Sequence, residues 1–340
     1  MKNKNKIAAI LLLTLFVGGI GLYSWNQFSN SKSNEVKKGD EKQLANPANF
    51  MTDSAYAYIE KQVAFGPRVP GSAAHASCAE WMKSKLSSFG FDVKEQTGTW
   101  PNWQGIAQPI RNISASFRPQ AKRRILFAAH WDSRPYADKD ADASKQRTPI
   151  DGANDGASGV GIILELARMA NQLPEGIGMD VLFLDAEDGG KPEWEPAASD
   201  DYLTWCLGSQ LWAKQTTSRA ARYAILLDMV GADGAKFNKE EYSVTNAGGA
   251  VDRIWAIAEK IGHGSYFPQQ KIQGIVDDHI FMNQVIPTLD IVDMRPGAMG
   301  AQNFEFGSSH HTHSDNMSVI SKSTLKAVGE TLAYTLWNVE

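Results

Sequence analysis

The sequence predicts an α/β fold, with a mostly parallel, mixed central sheet and helices on both faces. Two observations predict it. Short apolar runs, of the length of buried strands, alternate with longer stretches of helical periodicity. Acids and histidines stand just after those runs, at the strand ends where such sheets collect ligands. At 340 residues, 43% of them hydrophobic, the chain can bury a full core.

The elements follow in order. Lys2, Lys4 and Lys6 precede an apolar run from Ile7 to Tyr23. Residues 1–23 are therefore expected to be a signal peptide or an uncleaved signal-anchor, with the body exported to the periplasmic side. Residues 24–48, rich in Ser, Asn, Lys and Gln, read as a flexible tether. Residues 49–340 form the functional domain. Tyr56–Val63 and His75–Phe89 read as helices, and Arg124–Ala129 as a strand ending at His130. A helix is expected over Gly159–Gln172, with Val160, Ile163, Leu164 and Ala167 as its apolar positions. Strands are expected at Met179–Leu184, Ala224–Leu227 and Thr288–Val292, and helices at Val251–Ile261 and Ser321–Trp337.

Composition excludes some functions. No basic run longer than Lys122-Arg123-Arg124 lies beyond residue 48 and no finger spacing exists, so nucleic acid is not an expected partner. The net charge is −4, and the first 48 residues hold seven Lys/Arg against three Asp/Glu, so the body is mildly acidic and favours cationic or neutral ligands. Cys78 and Cys206 cannot build a disulfide scaffold or a Cys-rich zinc site. They are expected as buried, unpaired thiols.

The chemistry centres on Leu184-Asp185-Ala186-Glu187-Asp188, which closes an apolar run. Alternation along that strand points Glu187 and Asp188 to opposite faces, so that one can hold a metal while the other acts as a base beside it. Asp155 stands in Gly152-Ala153-Asn154-Asp155-Gly156, and His311 in His310-His311-Thr312-His313. Two carboxylates and an imidazole are three protein ligands, which leaves zinc one open position. On residue type alone His310 or His313 could replace His311, and Asp155 could be a plain helix cap. Asp228 interrupts an apolar strand and needs a partner, because an unpaired buried carboxylate is costly. His279 reads as a satisfied structural histidine, His75 and His263 as surface residues, and Trp103 as packing.

Seven blocks occur in a telling order. They are Phe65-Gly66-Pro67-Arg68-Val69-Pro70-Gly71-Ser72, Ala129-His130-Trp131-Asp132-Ser133, Asp151-Gly152-Ala153-Asn154-Asp155, Phe183-Leu184-Asp185-Ala186-Glu187-Asp188, Leu226-Leu227-Asp228-Met229-Val230-Gly231-Ala232, Asp277-Asp278-His279-Ile280-Phe281, and His311-Thr312 followed by Asp315-Asn316. From about Phe50 to Glu340 the chain resembles glutaminyl-peptide cyclotransferases of the animal and bacteroidete type, which share a fold with zinc aminopeptidases. The resemblance implies one zinc per chain on Asp155, Asp188 and His311, and Glu187 as acid/base with Asp228 and Asp277 as its hydrogen-bonding partners. It implies pocket walls at Trp194, Ile275 and Phe306. The implied reaction converts N-terminal glutaminyl residues of peptides or proteins to pyroglutamate and releases ammonia. Asp188 stands where animal enzymes carry Glu, and His310 where they carry Trp, which leaves one pocket wall open. Two rivals remain. A two-zinc aminopeptidase would use His130, Asp155 and Asp228 for a second metal. A non-catalytic, membrane-tethered binding domain is disfavoured, because Glu187 and all three ligands are retained.

Overall fold

The apolar runs become the parallel centre of a six-stranded sheet. In chain order the strands are β1 (Asp92–Pro101), β2 (Ala107–Phe117), β3 (Arg123–His130), β4 (Ile177–Leu184), β5 (Ala224–Asp228), β6 (Lys239–Glu240), β7 (Lys271–Ile272), β8 (Thr288–Val292), β9 (Met294–Gly297) and β10 (Gly300–Phe306). The main sheet runs β1-β2-β4-β3-β5-β8. Strands β4, β3, β5 and β8 pair in parallel, whereas β1 and β2 join them antiparallel. Two small sheets, β6–β7 and β9–β10, lie apart from it. The computed structural model describes residues 43–217, 220–297 and 300–340. The expected export segment and residues 24–42 of the expected tether lie outside these residues. Ala45, near the tether's end, already bonds the side chain of Asn338 at 2.8 Å.

Burial on both faces explains why the central strands read as continuous apolar runs. Every residue of β3 after Arg123 is buried. Ile125, Phe127 and Ala129 enter one hydrophobic cluster, and Leu126 and Ala128 enter another. The first cluster joins the sheet to α1 (Thr52–Val63), α2 (Ala73–Ser88) and α3 (Ala157–Met169). On the opposite face lie α4 (Leu207–Gln215), through Trp212, and α6 (Asp278–Met282), through Met282. The long helix α5 (Glu241–Lys260) and α7 (Lys322–Trp337) complete the first layer.

All the expected strands and helices are present, with shifted ends. The helix expected over Gly159–Gln172 starts at Ala157, and its last turn tightens into a 3₁₀ segment at Ala170–Gln172. The expected helix Val251–Ile261 is only the second half of α5, whose backbone kinks at Ala247. One reading is corrected here. His75 is not a surface residue but 2% exposed. Its Nε2 lies 2.8 Å from Asp185 Oδ1, and its ring stacks on Trp131 at 4.1 Å. His263 is half-buried against Glu330. Cys78 and Cys206 are buried and unpaired, as expected.

Candidate active site

Three parallel strands end at one rim of the sheet, and each delivers chemistry there. His130 closes β3, Asp228 closes β5, and the loop after β4 carries Glu187 and Asp188. That loop departs from the sequence reading. The strand stops at Leu184 and Ala186 takes a left-handed backbone, φ 53°. Glu187 and Asp188 are therefore not alternate residues of a strand. The Asp132 carboxylate orients them instead, accepting the N–H of Glu187 at 3.1 Å and that of Asp188 at 3.2 Å.

Asp155 is fixed from the other side of the site. The Asp315 carboxylate accepts the N–H groups of Asn154 and Asp155 at 2.7 and 3.1 Å. Gly156 then opens α3 so tightly that a Cβ would lie 2.6 Å from the His130 carbonyl and 2.7 Å from its ring. Only glycine lets Asp155 approach His130 this closely.

Asp155, Asp188 and His311 come together. His311 Nε2 is 3.0 Å from Asp188 Oδ1 and 3.8 Å from Asp155 Oδ2. Both oxygens of Asp188 and Oδ2 of Asp155 are buried without a hydrogen bond. Buried orphan carboxylate oxygens around an imidazole nitrogen are costly unless a cation completes them. The donor set fits zinc. His311 Nδ1 points at Asp138 Oδ1, 3.7 Å away, and Asp138 in turn is held by Arg134. A proton on Nδ1 leaves the Nε2 lone pair for a metal.

His310 also reaches this group, with Nε2 4.0 Å from Asp155 Oδ2. Its Nδ1, however, takes the Lys139 ammonium at 3.0 Å. In a neutral ring that places the proton on Nε2, where it cannot ligate. His313 is turned away, bonded to Asp140 and Thr148. A second set converges too: His130 Nε2 lies 3.1 Å from Asp155 Oδ1 and 3.2 Å from Asp228 Oδ1. These distances suit a second metal as well as they suit hydrogen bonds.

Glu187 borders the pocket and keeps part of its surface open. Burial, together with the neighbouring charges of Asp188, Asp277 and Asp278, pushes its carboxyl well above the usual range. Burial likewise raises Asp277, and pushes Asp228 up to about 8 against the pull of His130. Atoms of Glu187, Asp277 and Cys206 lie within 4.8 Å of one another. The Cys206 thiol donates to Glu187 Oε1 at 3.3 Å.

The surrounding cavity measures about 440 Å³. Ile275 and Phe306 line it, as the sequence suggested. Trp194 does not: its ring stands edge-on to Tyr136 at 5.2 Å, beneath Arg147. Trp205 takes the wall instead, stacked on His311 at 5.7 Å with planes 5° apart. The sequence reading missed Trp205, Cys206 and Lys139. Trp205 and Cys206 sit in a loop just ahead of α4, where no periodicity marks a side chain's direction. His279 is wholly buried, with Nε2 3.3 Å from Glu240 Oε2, but neither ring nitrogen has a hydrogen-bond partner among the described residues, so it is not the satisfied histidine that the sequence suggests. Four non-glycine residues at or beside the site have left-handed backbones: Ala186, Cys206, Met229 and His311.

The profile of peptidase family M28 matches residues 112–336. Among solved structures, a zinc-dependent exopeptidase from Parabacteroides distasonis is 45% identical, with a TM-score of 0.80 over 86% of this chain and 99% of that one. A Bacteroides thetaiotaomicron glutaminyl cyclase bound to N-acetylhistamine is 43% identical, with a TM-score of 0.82 over 87% of this chain and all of that one. The Drosophila melanogaster glutaminyl-peptide cyclotransferase is 24% identical over 76% of this chain and 73% of its own length. The match to the Escherichia coli alkaline phosphatase isozyme conversion protein spans only 39% of that protein. The chain therefore belongs to peptidase family M28, in the company of bacterial glutaminyl cyclases and zinc-dependent exopeptidases.

Proposed function

We propose that this enzyme cyclises the N-terminal glutamine of peptides or proteins to pyroglutamate and releases ammonia. The observation that carries the reading is the partly open Glu187 beside buried Asp277, in one pocket with Asp155, Asp188 and His311. The 43% identity to a glutaminyl cyclase over its whole length supports it.

The reaction forms a bond from the α-amine nitrogen to the γ-carbonyl carbon and breaks the bond from that carbon to the amide nitrogen. Glu187 takes a proton from the attacking amine and returns one to the departing ammonia. A carboxyl raised by burial and by neighbouring acids is suited to hold that proton between the two steps. Nucleophile and electrophile belong to one residue, so the walls need only fold the glutamine side chain back on itself. Trp205, Ile275 and Phe306 are the apolar surfaces available for that. Zinc on Asp155, Asp188 and His311 would supply Lewis-acid polarisation of the γ-carbonyl. With residues 7–23 read as an export segment, the reaction is placed outside the cytoplasm.

A second reading keeps a specific observation in its favour. The convergence of His130, Asp155 and Asp228 suits a two-zinc aminopeptidase. A peptidase must activate water, and a second metal helps by lowering the pKa of that water. Cyclisation needs no water, and a further cation would oppose an amine that must be neutral. One zinc per chain is therefore expected, and His130→Ala should leave the zinc content unchanged. Elemental analysis beside ammonia release from a Gln-initiated peptide tests this. Two zincs, with free amino acid released from Leu-initiated peptides, would replace the cyclase by a peptidase.

Cys206 contributes orientation. Its thiol, which burial keeps protonated, bonds one oxygen of Glu187 and leaves the other to the pocket. A net hydrogen bond of about 0.5–1.5 kcal/mol corresponds to roughly a two- to tenfold effect. Cys206→Ala should lower kcat by about that factor at constant KM, and Cys206→Ser should restore most of it. Equal losses in both variants would reduce the thiol to packing.

A further inference from the structure

A second cavity of about 520 Å³ adjoins the catalytic pocket. The two share Lys139, Ile275, Phe306 and His310 as a common wall. Beyond that wall the second cavity is lined by Gln273, Gly274, Phe304, Gly307 and Ser308, with the Gln273 side-chain amide donating to the Phe304 carbonyl at 3.0 Å. Resting on the cyclase reading, we propose that this cavity is the subsite for the second and third residues of the peptide substrate, so that the enzyme favours extended Gln-initiated peptides over glutamine derivatives of one residue.

A substrate with its first residue between Glu187 and the proposed metal set must carry its remaining chain away from the closed end of the pocket. The strand ends and the loops of Asp155 and Asp188 form that closed end. Two exits remain. One passes Tyr202 and Leu203, both of them exposed and on a single short 3₁₀ turn. The other crosses the shared wall into the second cavity, whose lining is continuous with that of the pocket.

The chemistry of that cavity suits a peptide. Met294, Phe304 and Phe306 provide apolar surface for side chains. Lys139 stands at the junction with its ammonium fixed by His310 Nδ1 at 3.0 Å and Glu193 only 3.7 Å away. A cation so placed can donate to a backbone carbonyl as the chain passes from one cavity to the next. Chain binding at such a remote subsite adds affinity that the reacting residue cannot supply.

Gly307 makes the idea testable. A Cβ there would meet nothing nearer than 3.6 Å, and its backbone is not in the left-handed region. Gly307 lines the cavity and its site admits a Cβ, so Gly307→Trp is the variant to obstruct the subsite, with a thermal melt beside the unmodified enzyme to show that it folds. The probes are glutamine amide and Gln-Ala peptide amides of two, three and five residues, with Leu203→Trp as a block of the other exit. For the unmodified enzyme kcat/KM should rise about tenfold or more from glutamine amide to the tripeptide, mostly through KM. In Gly307→Trp that rise should shrink to under twofold while glutamine amide is turned over within twofold of normal, and Leu203→Trp should keep the rise. A rise that survives Gly307→Trp but vanishes in Leu203→Trp would move the chain to the other exit. No dependence on length in the unmodified enzyme would remove the subsite altogether. Absence of ammonia from every Gln substrate would instead overturn the cyclase reading. The same series begun with Leu, read as amino-acid release, would then test the groove independently.

Discussion

Replacing Glu187 by Gln is expected to lower kcat by about 10²- to 10⁴-fold, the range that a positioned acid/base contributes, and to leave zinc bound. The amide has the shape of the carboxyl group and cannot shuttle a proton. Glu187 is outside the Asp155–Asp188–His311 set, so metal affinity should hold. Folding should hold too. The environment of Glu187 already disfavours a negative charge, so a neutral isostere removes a liability. Ammonia release and zinc content measured on one preparation decide the matter. Near-normal turnover would take the proton transfer away from Glu187. Loss of zinc along with turnover would mean that the variant reports on the metal site and not on the base.

The second large effect concerns the adjacent histidines. His311→Ala should lose zinc and, with it, activity. Two carboxylates alone are a poor zinc site, and the loss should exceed the roughly 10- to 100-fold that follows removal of a mere supporting hydrogen bond. His310→Ala should keep zinc, although its ring centroid is only 3.6 Å from that of His311. The distinction rests on hydrogen bonding. Lys139 occupies the acceptor nitrogen of His310, whereas the Nε2 of His311 faces unbonded oxygens of Asp188 and Asp155. Metal analysis of both variants reads the outcome directly. Zinc retained in His311→Ala and lost in His310→Ala would exchange the two roles.

What the sequence made legible follows from burial. Strands β3, β4, β5 and β8 are covered on both faces, and their apolar runs could hardly be anything else. The hairpin β1–β2 was not foreseen. β1 reads Asp-Val-Lys-Glu-Gln-Thr-Gly-Thr-Trp-Pro and has no buried residue, so no hydrophobic alternation announces it. Half of α5 was hidden by Gly248 and Gly249 and by the kink at Ala247. At the site, side chains fixed to strand ends or to the Asp315-bound loop were readable as acids and histidines in order. Those on loops were not. Trp194 and Trp205 are 11 positions apart on one long loop, and residue type does not say which of them turns inward. His75 was misread because α2 has so weak an apolar stripe that its inner face is not visible, yet that face seats a histidine on Asp185.

The left-handed backbones at Ala186, Cys206, Met229 and His311 matter for anyone who would reshape this protein. Each such non-glycine residue stores roughly 1–3 kcal/mol of conformational tension that the rest of the fold must over-determine. Selection for heat tolerance would be drawn to these positions, because relaxing them is among the easiest gains the fold offers. Yet these residues directly precede Glu187, directly follow Asp228, touch Glu187, or serve as the proposed zinc-binding imidazole. Robustness and catalytic precision are thus set against each other at the same handful of peptide units. Stabilising changes would be better sought on α1 and α7, outside those peptide units.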